Sequence, residues 1–308
     1  MGYRKSNPDP ITFEVHMFVN VNGKRIFFDI VGEGHNGSTP QLEEKPVFLA
    51  VHCASGFDHG YLRCGIDILT MLGQVIYLDL PGSGRTGGDA SEITFESLAD
   101  DICEFMNVLG LNKVYLLGHC AGGFVSQIFA LRYPEKLKGL ILVNTAPSFE
   151  KIIEEGKPNP TLAERAPEDV VQACIKVYGQ GIITPETVDE CFHKVGPYFL
   201  STFQMDNFKR VFSYTGLALP MLDRFVNHIY KTYDVREQLK IIELNTLVIA
   251  GKHDWLTPPS GARFIASQIK NSMYVEFDNS CHVSFEENRT GFIRSVSSYV
   301  KKNETGEF

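Results

Sequence analysis

The chain has 308 residues, of which 44% are hydrophobic and 21% charged, so a sizeable core is expected. The formal charge is −8 with no long basic run, which argues against nucleic acid and anionic membrane as partners. No apolar run reaches the roughly 18 residues that span a bilayer.

The start, MGYRKSNPDP, lacks the apolar segment of a secretory signal, although Gly2 with Ser6 fits the short myristoylation pattern that often matches by chance. Seven cysteines at 53, 64, 103, 120, 174, 191 and 281 form no CxxC pair. Neither a zinc site nor a disulfide framework is expected, and a reducing cytoplasm is the simplest location.

In chain order, ITFEVHMFVN and KRIFFDIV flank VNG and read as a hairpin. PVFLAVH, Pro46–His52, reads as a buried strand and a helix is expected across Tyr61–Leu72. QVIYLDL is a second strand. In TFESLADDICEFMNVL, apolar residues at Phe95, Leu98, Ile102, Phe105 and Leu109 follow helical spacing. KVYLLG, GGFVSQIFALRY and LKGLILVN continue as strand, helix and strand. Such alternation predicts an α/β class with a mostly parallel sheet and helices on both faces. It stops near Asn144 and resumes with LNTLVIAG, GARFIASQI, SMYVEF and FIRSVSSYV. Residues 1–146 and 239–308 are therefore read as the core domain, and the helical segment 147–238 as a cap inserted over the sheet's carboxyl edge.

GHCAGG, Gly118–Gly123, sits between a strand and a helix. A sharp turn there needs small neighbours and forces its central residue, Cys120, into a strained backbone geometry. Cys120 also stands at a helix N-terminus, where peptide N–H groups favour a thiolate. The competing reading is a small buried thiol. The nucleophile reading gains from His282, in a loop after the last strand, and from Asp254, 28 residues earlier in GKHDWLTPP. A base needs an orienting carboxylate, and the order nucleophile, acid, histidine is one of the known triad orders. His119 is read as packing, His253 as structural or substrate-facing, and Asp79 as holding the loop that follows it. Oxyanion donors are expected from the amides of Ala121, directly after the nucleophile, and of Ala54 in HCASGFDHGYL. GSGRTGG, Gly82–Gly88, matches GxGxxG but does not open a helix at once, so nucleotide binding is not expected.

VHCASGFDHGYL, YLDLPGSGRTGG, GHCAGG, LVIAGKHDWLTPP and SCHVSFEE together resemble the α/β-hydrolase superfamily over about residues 11–302. The likeness is to the proline iminopeptidase-like and related esterase branch. The resemblance implies the α/β-hydrolase fold: an eight-stranded, mostly parallel sheet, a helical cap after the sixth strand, and a triad of Cys120, Asp254 and His282 that needs neither cofactor nor metal. Two departures stand out. The branch usually has Ser where Cys120 stands, and a glycine-rich HGGPG-like loop where this chain reads HCASG, His52–Gly56. Dienelactone hydrolase and polyhydroxyalkanoate synthase use Cys but look less like this chain elsewhere. The peptidases hold a substrate amine with cap carboxylates; Glu154, Glu155, Glu164 and Glu168 are candidates, against the blander reading of a solvated helix face.

The expected activity is hydrolysis of an ester, lactone, thioester or activated amide through an acyl-thioester. The alternatives are an acyltransferase passing the acyl group to an amine or thiol, a non-catalytic ligand-binding member, or a Ser-to-Cys variant of a serine hydrolase. A small-molecule substrate is expected, and the oligomeric state stays open.

Overall fold

The computed structural model describes residues 17–36 and 43–308. The Gly2–Ser6 pattern and residues Ile11–His16 of the expected first strand lie outside the described residues. Eight strands form one sheet: β1 Met17–Val21, β2 Lys24–Val31, β3 Val47–Val51, β4 Gln74–Leu78, β5 Val114–His119, β6 Leu137–Val143, β7 Thr246–Gly251 and β8 Ser272–Phe277. Their spatial order is β1-β2-β4-β3-β5-β6-β7-β8.

The expected hairpin joins β1 to β2. Its tip, Asn22 and Gly23, has both residues at positive φ, the mirror-image turn whose twist matches paired strands. β2 also pairs antiparallel with β4, and the other pairings are parallel. Strands covered on both faces read as continuous apolar runs. VFLAV is such a run, with Phe48 through Val51 fully buried.

The helices are α1 Gly60–Ile66, α2 Phe95–Val108, α3 Ala121–Arg132, α4 Glu168–Cys174, α5 Pro185–Val195, α6 Met205–Phe212, α7 Leu219–Arg224, α8 Pro259–Gln268, α9 Ser284–Glu287 and α10 Arg289–Thr305. α2 begins where Thr94 caps it in a reciprocal box with Ser97, and it buries the predicted face of Phe95, Leu98, Ile102 and Phe105. The helix expected across Tyr61–Leu72 is shorter: α1 ends at Ile66 and a 3₁₀ turn follows over Asp67–Met71. The reason is local and tertiary. The Thr70 hydroxyl takes the Asp67 carbonyl at 2.7 Å, and the Tyr77 hydroxyl donates to the Asp67 carboxylate at 2.7 Å.

Gly82–Gly88 is a closed loop, separated from α2 by a 3₁₀ turn at Ala90–Glu92. As expected, buried Asp79 holds it, accepting from the Arg85 amide at 2.9 Å and guanidinium at 3.1 Å. Between β6 and β7 lie α4 to α7 and two π-helical turns, Ile175–Gly179 and Phe225–Ile229. This segment packs on the loop after β3. The Ala218 amide donates to the Gly56 carbonyl at 2.9 Å, and the Phe57 ring meets those of Phe192 and Phe212 at 5.3 and 5.8 Å. Among the described residues no helix is long and apolar enough to cross a membrane.

Candidate active site

β5 passes into α3 through Cys120, whose φ is +56° and ψ −127°. A side chain rarely adopts this backbone state, and it persists only where its surroundings enforce it. Here they do. The Cys120 amide donates to the Val143 carbonyl at 3.2 Å, and Thr145 Oγ1 donates to the Cys120 carbonyl at 2.7 Å. The flanking glycines serve close approach: a Cβ on Gly118 would meet Ser126 Oγ and the Gly122 carbonyl, and one on Gly122 would meet the Val51 and His52 carbonyls. Cys120 thus stands at the N-terminus of a twelve-residue helix.

Asp254, three residues beyond β7, is fully buried. Its Oδ1 accepts from the amides of Leu256 and Thr257, both at 3.0 Å. Its Oδ2 accepts from Thr257 Oγ1 at 2.7 Å and Asn144 Nδ2 at 2.9 Å, and bonds His282 Nδ1 at 2.8 Å. Burial would raise this carboxyl, but the His282 charge and these hydrogen bonds outweigh it and hold it below the usual range. For His282 burial lowers the imidazole, and the Asp254 charge and hydrogen bond more than reverse that. Its Nδ1 is thus fixed on the carboxylate, leaving Nε2 for chemistry.

Sulfur occupies the centre of the site twice. The Cys53 thiol donates to Cys120 Sγ at 3.2 Å and lies 3.2 Å from Ser55 Oγ. Two thiols in contact share a proton, so the first ionises easily and the second is held back. The Cys120 side chain is the main cause that holds the Cys53 thiol below its ordinary range, and the Cys53 side chain is the main cause that pushes Cys120 up. The Ala121 amide faces both sulfurs and favours charge on either. Moving the shared proton exchanges which sulfur carries that charge.

Ala121 opens α3 and its amide therefore points into the site, where an oxyanion donor was expected. Ala54 is fully buried; its neighbours Cys53 and Ser55, rather than Ala54 itself, line the cavity. His119 does more than pack. Burial drives it down to about 3, so it stays neutral. The Cys53 amide donates to the Tyr61 hydroxyl at 2.9 Å, and Tyr61 donates on to His119 Nδ1 at 2.9 Å. His119 Nε2–H then donates to the His282 carbonyl at 2.8 Å. One chain of hydrogen bonds joins the HCASG loop, the elbow and the histidine loop. His253 acts through its backbone, its carbonyl accepting from Arg165 Nη1 at 2.5 Å.

These groups face a cavity of about 170 Å³. Cys53, Cys120, Ala121 and His282 line it, with aromatic walls that include Phe57, Phe124, Phe199, Tyr178 and Trp255. Asp254 lies behind His282. Of the cap carboxylates considered from sequence, none lines the cavity. Glu154 pairs with Arg263 at 2.7 Å, Glu164 caps the amide of Thr161 at 2.9 Å, and Glu168 accepts from Gln172 at 2.6 Å. The carboxylate in the lining is Glu150, ion-paired to Arg236 at 3.0 Å. Sequence reasoning missed Asn144, Thr257, Tyr61 and the contact of Cys53 with Cys120. The TxxS-type caps of helices have local patterns, but these contacts join residues from separate loops.

The alpha/beta hydrolase fold family matches residues 73–289. A proline iminopeptidase of Saccharolobus solfataricus is 29% identical, covering 82% of this chain and 84% of that protein. A pimeloyl-[acyl-carrier protein] methyl ester esterase of Legionella pneumophila is 26% identical over 80% of this chain and 92% of its own. The enol-lactonase of Burkholderia xenovorans superposes with a TM-score of 0.71 at 21% identity, covering 92% of this chain and all of that one. The chain belongs to the alpha/beta hydrolase fold family.

Proposed function

We propose that this hydrolase cleaves a small ester, lactone, thioester or activated amide through a Cys120–His282–Asp254 triad and an acyl-thioester. The observation that carries the reading is a strained thiol at a helix N-terminus sharing one cavity with an imidazole whose far nitrogen is held by a buried carboxylate. Cys120 Sγ attacks the carbonyl carbon as its proton passes to His282 Nε2. The oxyanion is taken by the amide of Ala121, which faces the cavity. His282 hands a proton from Nε2 to the leaving group, and then removes one from the water that releases the acid. Asp254 keeps Nδ1 protonated and balances the imidazolium.

Sulfur leaves more readily than oxygen, which favours esters and thioesters over plain amides. An apolar cavity of about 150 Å³ is known to take up benzene. The cavity here is about 170 Å³ with an aromatic wall, which suits an apolar acyl group of roughly one ring. An N-terminal amine is a poor match because Lys151 lines the cavity beside Glu150, the carboxylate there. In this reading residues 147–238 are the cap that walls the cavity, and 1–146 with 239–308 the catalytic core. The seven free thiols suit a reducing compartment such as the cytoplasm.

The test combines labelling and turnover. Iodoacetamide should modify the Cys53–Cys120 pair, of which one sulfur ionises easily, well before Cys64, Cys191 or Cys281, which burial pushes up to about 12. Hydrolysis of p-nitrophenyl acetate should fall to background in Cys120→Ala. Unchanged turnover in that variant would remove Cys120 from the mechanism, and a large rise in Cys120→Ser would mark sulfur as a substitute for oxygen.

A further inference from the structure

Cys53 has no part in the triad, yet its sulfur touches the nucleophile's. Among the seven free cysteines of the described chain, 53 and 120 are the pair whose sulfurs are in contact, at 3.2 Å. Both are buried but reachable, since each lines the cavity. A disulfide needs the sulfurs about 2.05 Å apart. Closing the gap takes a shift of about 1.2 Å, shared between two side chains. The HCASG loop that carries Cys53 is held to the elbow by the Cys53–Tyr61–His119 chain of hydrogen bonds, so the two sulfurs are presented to each other by the folded protein. A neighbouring amide, that of Ala121, favours negative charge on either sulfur, the form that reacts with electrophiles.

We propose that Cys53 and Cys120 form a peroxide-reactive dithiol, in which Cys53 resolves oxidised Cys120 as a disulfide and so turns the enzyme off reversibly. The inhibitory consequence rests on the nucleophile reading of Cys120; the cross-link itself does not. In the first step the shared proton sits on Cys53, which donates to Cys120 Sγ, and the Cys120 thiolate attacks hydrogen peroxide. The S–O bond forms, the O–O bond breaks, hydroxide leaves, and sulfur is oxidised by two electrons to the sulfenic acid. In the second step Cys53 attacks that sulfur. The S–S bond forms, the S–O bond breaks, and the departing hydroxide takes the Cys53 proton as water. In total two thiols and one peroxide give one disulfide and two waters. The product removes the nucleophile and ties the oxyanion loop to the elbow. It also keeps Cys120 from the irreversible sulfinic state.

The experiment treats reduced protein with hydrogen peroxide, blocks free thiols with iodoacetamide, and maps peptides by mass spectrometry. A Cys53–Cys120 cross-linked peptide, about 2 Da lighter than its reduced parts, is expected. Ester turnover should fall at least about tenfold in step with it and return with dithiothreitol. In Cys53→Ser no cross-link can form, and peroxide should carry Cys120 to the sulfinic acid, which dithiothreitol does not reverse. The unmutated protein supplies a second readout: phenylarsine oxide, which bridges two adjacent thiols, should block both cysteines and be displaced by a dithiol. Sulfinic Cys120 in the unmutated protein without any cross-link, or failure of the arsenical to bridge the pair, overturns the proposal. A reversible cross-link with unaltered turnover supports the dithiol and instead defeats the nucleophile reading. Turnover that needs Cys120 with no cross-link leaves that reading standing and defeats this one.

Discussion

Two buried His–Asp pairs sit at the carboxyl edge of the same sheet, and their surroundings differ. His59, after β3, meets Asp79, after β4, through Nδ1 at 2.6 Å; His282, after β8, meets Asp254, after β7, through Nδ1 at 2.8 Å. Both imidazoles are nearly inaccessible, at 2% and 5% exposure. The difference is the second nitrogen. His59 Nε2 meets another carboxylate, Asp29, at 3.1 Å, and its ring stacks between Phe27 and Tyr77 at 5.8 and 5.5 Å. An imidazole bonded at both nitrogens to carboxylates has no site left for a reacting proton. The His282 ring lines the cavity instead. A His–Asp contact alone therefore does not mark a catalytic base; the surroundings of the other nitrogen decide.

The sharpest break of this comparison is the paired substitution Asp254→Asn and Asp79→Asn. The first should lower kcat on a p-nitrophenyl ester by about 10³–10⁴-fold, because the amide favours the wrong tautomer of His282. The second should leave kcat of the folded protein within a few-fold. Comparable losses in both would erase the distinction.

The converse holds for stability. His59→Gln removes one partner of the fully buried Asp79 carboxylate, which keeps Arg85, and should cost about 1–3 kcal/mol in urea unfolding. Activity per folded molecule should persist.

A smaller effect separates support from chemistry at the second pair. Asn144 donates to Asp254 Oδ2 and to the Cys281 carbonyl, both at 2.9 Å. Asn144→Ala loses one hydrogen bond to a charged acceptor, worth about 1.5–3 kcal/mol. We expect kcat to fall about tenfold or somewhat more, with KM little changed. A change in KM alone would indicate a role in binding.

The smallest effect is on pH dependence. His59 is raised from its ordinary 6.5: burial lowers it, but Asp29 and Asp79 outweigh that. Its contribution is complete below 6.5 and is lost as pH rises through the folded value. Asp79 is held well below 3.8, burial being outweighed by His59, so its contribution is complete above 3.8 and is lost as pH falls through the folded value. The urea midpoint should therefore decline on the alkaline side, and less so in His59→Gln. An identical decline in the variant would assign that dependence to other groups.

Much of this was legible from sequence because it follows from periodicity. Apolar runs gave the parallel strands, and the 3-4 spacing gave α2. The flanking glycines of GHCAGG marked a tight strand-to-helix turn, and the structure has Cys120 there at positive φ. The α1 boundary was not legible, because Tyr77 and Thr70 redirect Asp67. The hydrogen bonding of His119 was not legible for the same reason: its partners, Tyr61 and His282, lie 58 and 163 residues away.

By itself, then, the sequence determined the layered α/β architecture, the turn at Cys120, and the chain order of the candidate triad. These depend on residue spacing and on backbone sterics within a few positions. Only the tertiary structure decided which histidine keeps a nitrogen for the cavity, and that Cys53 lies against Cys120. Those outcomes depend on distances between loops far apart in sequence, which are set when the sheet brings its carboxyl ends together and the helices pack around them.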